Sequence, residues 1–219
     1  MMDIQNKNRK LLKKNHVYDE TMEHDACGVG LVASTEGLKS RKVVEYGIEA
    51  LKAVWHRGAI DADGKTGDGA GIHIEIPNDF FAEKIEITGH EHDNSDLCVG
   101  MIFLPRNDFG GQEQCRSIVE SELTKKNFNI YGWRQVPVDP SVLGEKAEQT
   151  RPEITQVLFT HNDKSIHGKD LERALYETRR KIEKEALRNQ LNNFYICSFS
   201  SKSIIYKGMF LAESLSDFY

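Results

Sequence analysis

Among the 219 residues of the chain, Cys27 stands where nucleophilic chemistry is easiest to build. In the run Glu23-His24-Asp25-Ala26-Cys27-Gly28-Val29-Gly30-Leu31-Val32-Ala33, an acidic, polar leader meets an apolar stretch at the cysteine. A cut after Ala26 would give Cys27 a free α-amino group beside its own thiol. A free thiol titrates near about 8.5 and an α-amino group near about 7.7–8.0, so at neutral pH the amine can accept the thiol proton. Nucleophile and base would then share one residue. Sulfur suits this role because a thiol ionises more easily than a hydroxyl and attacks faster.

Other apparent motifs fail on spacing. Cysteines stand at 27, 98, 115 and 197, with no C-x-x-C pair, so no zinc site is expected. Cys98 and Cys197 sit among apolar strand residues and read as buried small hydrophobes. Gly64-Lys65-Thr66 resembles the end of a phosphate-binding loop, but five residues separate Gly58 from Gly64 where the motif needs four. A calcium loop starting at Asp61 would put Lys65 among its ligands and Thr66 at the glycine position. The histidines do not form a metalloprotease pair. No metal ligand set is therefore assigned.

Composition bounds the class. Hydrophobic content of 39% and charged content of 29% are those of a soluble globular protein. A net charge of −5 argues against a general nucleic-acid partner. Apolar runs such as 97–104 are too short to span a bilayer. Residues 1–14 are basic but lead into no apolar core, so they are not a secretory signal, and a cytoplasmic location is the default expectation.

Elements must hold these residues in place. Residues 1–26 lack apolar periodicity and read as a leader, with one domain over 27–219. Residues 27–34 read as a strand. Val43, Val44, Gly47, Ile48, Leu51, Val54 and Trp55 mark one face of a helix over 40–55. Residues 61–71 hold four glycines and three aspartates, an irregular loop. Alternation over 72–77 predicts a half-buried strand. Asn78 is the expected cap of a short helix through residue 82. Strands are expected over 97–104, 128–138 and 154–161, and helices over 109–126 and 169–188, the latter with a Glu177–Lys181 surface pair. Two last strands, 194–199 and 203–208, flank a tight turn. Strands and helices do not alternate strictly, which predicts an α+β layered fold.

Several blocks together resemble one family. These are residues 23–30, His56-Arg57-Gly58-Ala59, Gly67-Asp68-Gly69-Ala70-Gly71, Gly132-Trp133-Arg134-Gln135-Val136-Pro137-Val138, Arg151-Pro152, Phe194-Tyr195-Ile196-Cys197-Ser198 and Tyr206-Lys207-Gly208-Met209. They are similar to the class II glutamine amidotransferase domain of glutamate synthase large subunits, an N-terminal nucleophile (Ntn) hydrolase. The resemblance implies a four-layer αββα sandwich, here incomplete, and hydrolysis of L-glutamine to glutamate and ammonia. It implies Cys27 as nucleophile and new N-terminus, with Arg57 and Gly28 in the glutamine site. Gly67, Asp68 and Gly69 would form a loop that shapes the site. An Asn-Gly oxyanion pair and further glutamine-binding residues are expected beyond Tyr219, so little activity is expected of these residues alone. In complete enzymes of this kind, the remaining synthase domains or subunits use the ammonia to aminate 2-oxoglutarate. FMN and an iron–sulfur cluster belong to those domains, and no cofactor is assigned to this chain. Two other readings remain: a non-catalytic interaction module, and an amidotransferase serving another acceptor.

Overall fold

The computed structural model describes residues 27–55, 58–91 and 96–219, with Lys7 and Leu11. Apart from those two residues, the predicted leader lies outside the described residues. The remaining chain is α+β with antiparallel sheets.

Four strands form the main sheet: β2 (Leu97–Leu104), β3 (Phe128–Gln135), β4 (Glu153–His161) and β5 (Tyr195–Ser200). Their spatial order is β3-β4-β2-β5, antiparallel throughout. The two central strands, β2 and β4, are almost wholly buried, so both of their faces must be apolar. One face carries Cys98, Ile102, Leu104, Val157 and Phe159. These pack with Cys115, Val119 and Leu123 of α3 (Phe109–Lys125) and Leu171, Leu175 and Ile182 of α5 (Gly168–Arg188). Gly100 lies on this face because an added Cβ would come within 2.7 Å of Val157 and 2.8 Å of Phe199.

The opposite face carries Leu97, Val99, Met101, Ile154 and Leu158. It meets a two-stranded ribbon, β1 (Ala70–Glu75) with β6 (Ser203–Gly208), paired from Ala70↔Gly208 to Glu75↔Ser203. Phe81 and Ile85 of α2 (Asn78–Ile87), Ile204, Phe210 and Phe218 complete this second core. Gln156 of β4 ties the layers together: it accepts from Arg134 at 2.7 Å and donates to the Tyr206 hydroxyl at 3.2 Å. The first helix, α1 (Arg41–Ala53), packs on β1, where Gly47 leaves room for Ile72. Ser40 caps it by accepting from Lys42 N–H at 3.2 Å. Among the described residues, no helix is long and apolar enough to cross a membrane.

Several local expectations need correction. Residues 27–34 form no strand, because no described neighbour pairs with their backbone. Val29 and Leu31 are 90% and 92% exposed. Asn78 opens α2 as its first helical residue, with Pro77 in the cap position, and the helix runs on to Ile87 because Phe81 and Ile85 are buried beneath it. A short helix, α4 (Glu145–Thr150), went unread because it offers one buried side chain, Ala147. Glu177 pairs with Arg173 and Lys126 rather than with Lys181.

The last two strands do not make a hairpin ladder. They join different sheets, since Ser198 Oγ takes the Ile205 N–H at 3.2 Å and the Cys197 thiol faces the Ile205 carbonyl at 3.5 Å. Side chains thus occupy the groups that a ladder would use. Glu172 of α5 anchors the turn, accepting from Ser201 N–H at 2.8 Å and Ser201 Oγ at 2.7 Å. This switch lets one connection span both layers.

Candidate active site

Cys27 is exposed and free, at the head of the arm 27–34, which is neither helix nor strand. Gly28 beside it is half-buried. Gly30 sets the arm against α1, its ideal Cβ lying 3.8 Å from the Ala50 methyl. Arg57 and His56 lie outside the described residues.

The other thiols are chemically quiet. Burial pushes Cys115 and Cys197 up to about 11, and pushes Cys98 higher still. A thiol held protonated is a poor nucleophile, so among the four only Cys27 is exposed for attack.

The Gly/Asp-rich segment is a built loop rather than a slack one. Ile60 and Gly67 form a bridge, and Asp61 N–H donates to the Thr66 carbonyl at 2.9 Å. Asp68 closes the base: its Oδ2 accepts from Ala59 N–H at 3.0 Å. Asp63 accepts from Thr66 Oγ1 at 2.5 Å, Thr66 N–H at 2.7 Å and Lys65 N–H at 3.0 Å. These bonds, led by the Thr66 hydroxyl, hold its carboxyl well below the usual carboxylate range. Lys146 of α4 reaches Asp61 at 2.6 Å and lowers that carboxyl too. Gly69 has φ 123°, a backbone state that favours glycine. Gly67 is buried against the chain, where a Cβ would sit 2.9 Å from the Phe210 carbonyl oxygen.

Asp68 and Gly69 open onto a cavity of about 1200 Å³ between the ribbon and the edge of the main sheet. Arg106, Arg151 and Lys207 stand on its wall. Glu148 holds the two arginines, Arg106 Nη1 at 2.6 Å and Arg151 Nε at 2.7 Å, and they draw its carboxyl below the ordinary value, Arg151 foremost. Two guanidinium groups on one carboxylate leave an excess positive charge at the rim. Sequence reading noted Arg151-Pro152 but gave Arg151 no role, because its neighbours Arg106 and Glu148 are distant in sequence or on the unread helix. Cys27 and Gly28 do not line this cavity. The predicted loop and the predicted nucleophile are therefore not brought together around it.

The family profile "Glutamine amidotransferases class-II" matches residues 27–219. The chain belongs to the class II glutamine amidotransferases. Within that family it is 53% identical over 212 residues to the glutamate synthase [NADPH] large chain of Azospirillum brasilense, covering 97% of this chain and 14% of that one. It is 38% identical over 198 residues to ferredoxin-dependent glutamate synthase 2 of Synechocystis, covering 90% and 12%. The chloroplastic ferredoxin-dependent enzyme of Spinacia oleracea is 37% identical over 203 residues, covering 92% and 12%. The chain thus spans about a seventh or less of the length of these relatives.

Proposed function

We propose that the chain is the glutaminase part of a glutamate synthase, with Cys27 as its nucleophile. The observation that carries this reading is that the family match begins on Cys27. Relatives named as glutamate synthases support the acceptor side of the reading. Removal of residues 1–26 would free the Cys27 α-amino group, which takes the thiol proton. The thiolate sulfur attacks the glutamine side-chain carbonyl carbon and forms a tetrahedral adduct. The carbon–nitrogen bond breaks, and the nitrogen leaves as ammonia with the proton returned by the amine. Water then hydrolyses the γ-glutamyl thioester, releasing glutamate and restoring the thiol. Arg57 and Gly28 bind glutamine in this reading, and the 67–69 loop shapes the site.

The fold reading is a four-layer αββα sandwich: α3 and α5, the main sheet, the ribbon, then α1. The packing of two apolar cores against the two faces of the main sheet supports it. Ammonia would pass to other synthase domains in the cytoplasm or its plastid counterpart. FMN and an iron–sulfur cluster would supply the reducing electrons there. The described residues do not fit such a cluster, which needs several converging thiolates. No three potential metal-ligating side chains converge among them.

The test combines N-terminal sequencing with affinity labelling. A glutamine analogue bearing an electrophilic diazoketone should alkylate Cys27 in chains that begin at Cys27, and Cys27→Ala should abolish the adduct and ammonia release. Ammonia release from a chain that retains residues 1–26, or release that survives Cys27→Ala, would overturn the reading. The second reading is a non-catalytic interaction module. The observation in its favour is that Cys27 lies apart from the cavity lined by Asp68 and Gly69.

A further inference from the structure

The cavity between the ribbon and the edge of the main sheet is not lined by Cys27, yet its wall is chemically equipped. Phe103, Phe194, Ile205 and Phe210 give it an apolar floor, and Arg106, Arg151 and Lys207 stand on the same wall. The donors of these cations are only partly used. Arg106 gives Nη1 to Glu148, at 2.6 Å to Oε1 and 3.2 Å to the carbonyl oxygen. Among the described residues its Nε and Nη2 take no hydrogen-bond partner, so one whole edge of the guanidinium fork is open. Lys207 Nζ donates to the Tyr195 hydroxyl at 2.7 Å and lies 4.5 Å from the centre of that ring. It has no carboxylate partner among the described residues, and an ammonium group has three donors. The acids on the wall are turned to the backbone instead: Asp108 accepts from Gly111 N–H at 2.9 Å and Asp68 from Ala59 N–H at 3.0 Å. Arg106 is also held in place. Buried Gln112 donates from Nε2 to the Pro105 carbonyl at 2.9 Å and the Arg106 carbonyl at 3.2 Å, which fixes the backbone beneath the guanidinium. A few placed polar groups over an apolar floor are the ordinary make-up of a small-molecule site.

We infer that this cavity binds an organic anion, an acid group carried on an aromatic or aliphatic body. The acid group takes the open Nε–Nη2 edge of Arg106 in two parallel bonds, and Lys207 adds a second charge on the same wall. The body lies on Phe103, Phe194 and Phe210. Size favours such a ligand over a bare inorganic anion. The cavity, at about 1200 Å³, exceeds the roughly 300–1,000 Å³ of common small-molecule sites, and a lone anion would leave most of it unfilled. Free glutamine has no apolar body and would leave the floor uncovered. The site is therefore separate from the glutamine site of the proposed function, and the inference does not rest on that reading.

The experiment titrates anilinonaphthalene sulfonate, an aromatic sulfonate whose fluorescence rises in apolar surroundings, into the 219-residue chain. The expected result is saturable binding at one site. Arg106→Gln and Lys207→Met should each weaken it about tenfold, the scale of a lost hydrogen bond between charged groups. Lys207→Arg should restore most of the affinity, and Lys169→Met, exposed on α5, should leave it unchanged. The uncharged analogue phenylnaphthylamine should bind all of these variants equally. Arg106→Gln also strips Glu148 of a partner, so Lys207→Met, which breaks no ion pair among the described residues, is the deciding variant. Unchanged probe affinity in Lys207→Met overturns the inference, as does a fluorescence response that never saturates. Parallel losses for the sulfonate and its uncharged analogue overturn it too, since the substitution would then have altered the apolar floor rather than removed a charge.

Discussion

At the scale of single residues, the four cysteines divide sharply by environment. Cys27 is open to solvent, whereas Cys98, Cys115 and Cys197 are buried with raised pKa values. Treating native chain with a small thiol reagent at pH 8 should modify Cys27 alone by mass spectrometry, and unfolding should expose the other three. The same shifts predict how stability responds to base. An unfolded thiol titrates near about 8.5. Above that value the unfolded state releases protons that folded Cys115 and Cys197 retain up to about 11. The unfolded state then binds fewer protons, so stability falls with rising pH across this window. Denaturant midpoints taken from pH 8 to 11 should fall, and Cys197→Ala should flatten part of the slope. Gly67 makes a steric prediction. An added methyl would press on the Phe210 backbone, so Gly67→Ala should cost about 1–3 kcal/mol in denaturant unfolding. Cys27 drew attention as a candidate nucleophile because a cysteine between a polar stretch and an apolar run is a local pattern. The rim cations were not, since Arg106 and Arg151 meet only through Glu148, 42 residues from Arg106.

At the scale of elements, legibility followed burial. Strand β2 was readable end to end because seven of its eight residues are buried, and α5 because its apolar residues keep a helical spacing over 21 residues. The arm 27–34 misled for the same reason: its alternation is that of a strand, but pairing depends on a partner that local sequence does not contain. The β5–β6 connection shows a subtler limit. Its turn is tight and its flanks are apolar, yet Ser198 and Cys197 side chains take the bonds of a hairpin, and that exchange is invisible to periodicity. Glu172 makes the switch testable. Its carboxylate gathers the Ser200 and Ser201 hydroxyls and the Ser201 N–H. Bonds to a charged acceptor are each worth about 1.5–3 kcal/mol. Glu172→Ala should therefore lower stability by about that amount or more, while Glu177→Ala, on the exposed side of the same helix, should change it by less than about 0.5 kcal/mol. Thermal unfolding of the two variants in parallel gives the comparison. A Glu172→Ala effect no larger than that of Glu177→Ala would show that the turn holds without its anchor.

At the scale of the whole molecule, the main sheet acts as a wall between two cores. The helix-side core contains Ile182 and the ribbon-side core contains Ile85, both fully buried. Among the described residues, no buried side chain belongs to both cores, because each strand residue of the sheet points to one face only. The sheet backbone, with its Gln156 bridge to Tyr206, is the link between the layers. If that backbone is stiff, losses on the two sides should add. Ile182→Val and Ile85→Val each remove one methylene and should each cost about 0.5–1.5 kcal/mol. The double variant should cost their sum to within about 0.3–0.5 kcal/mol, the ordinary tolerance for independent sites. A coupling well above that tolerance would mean that the sheet shifts as a body when either core is thinned. The arm and the cavity both lie on the ribbon side, so such coupling would let helix-side packing reach the backbone that carries Cys27. Additivity would confine the site's tuning to α1 and the ribbon.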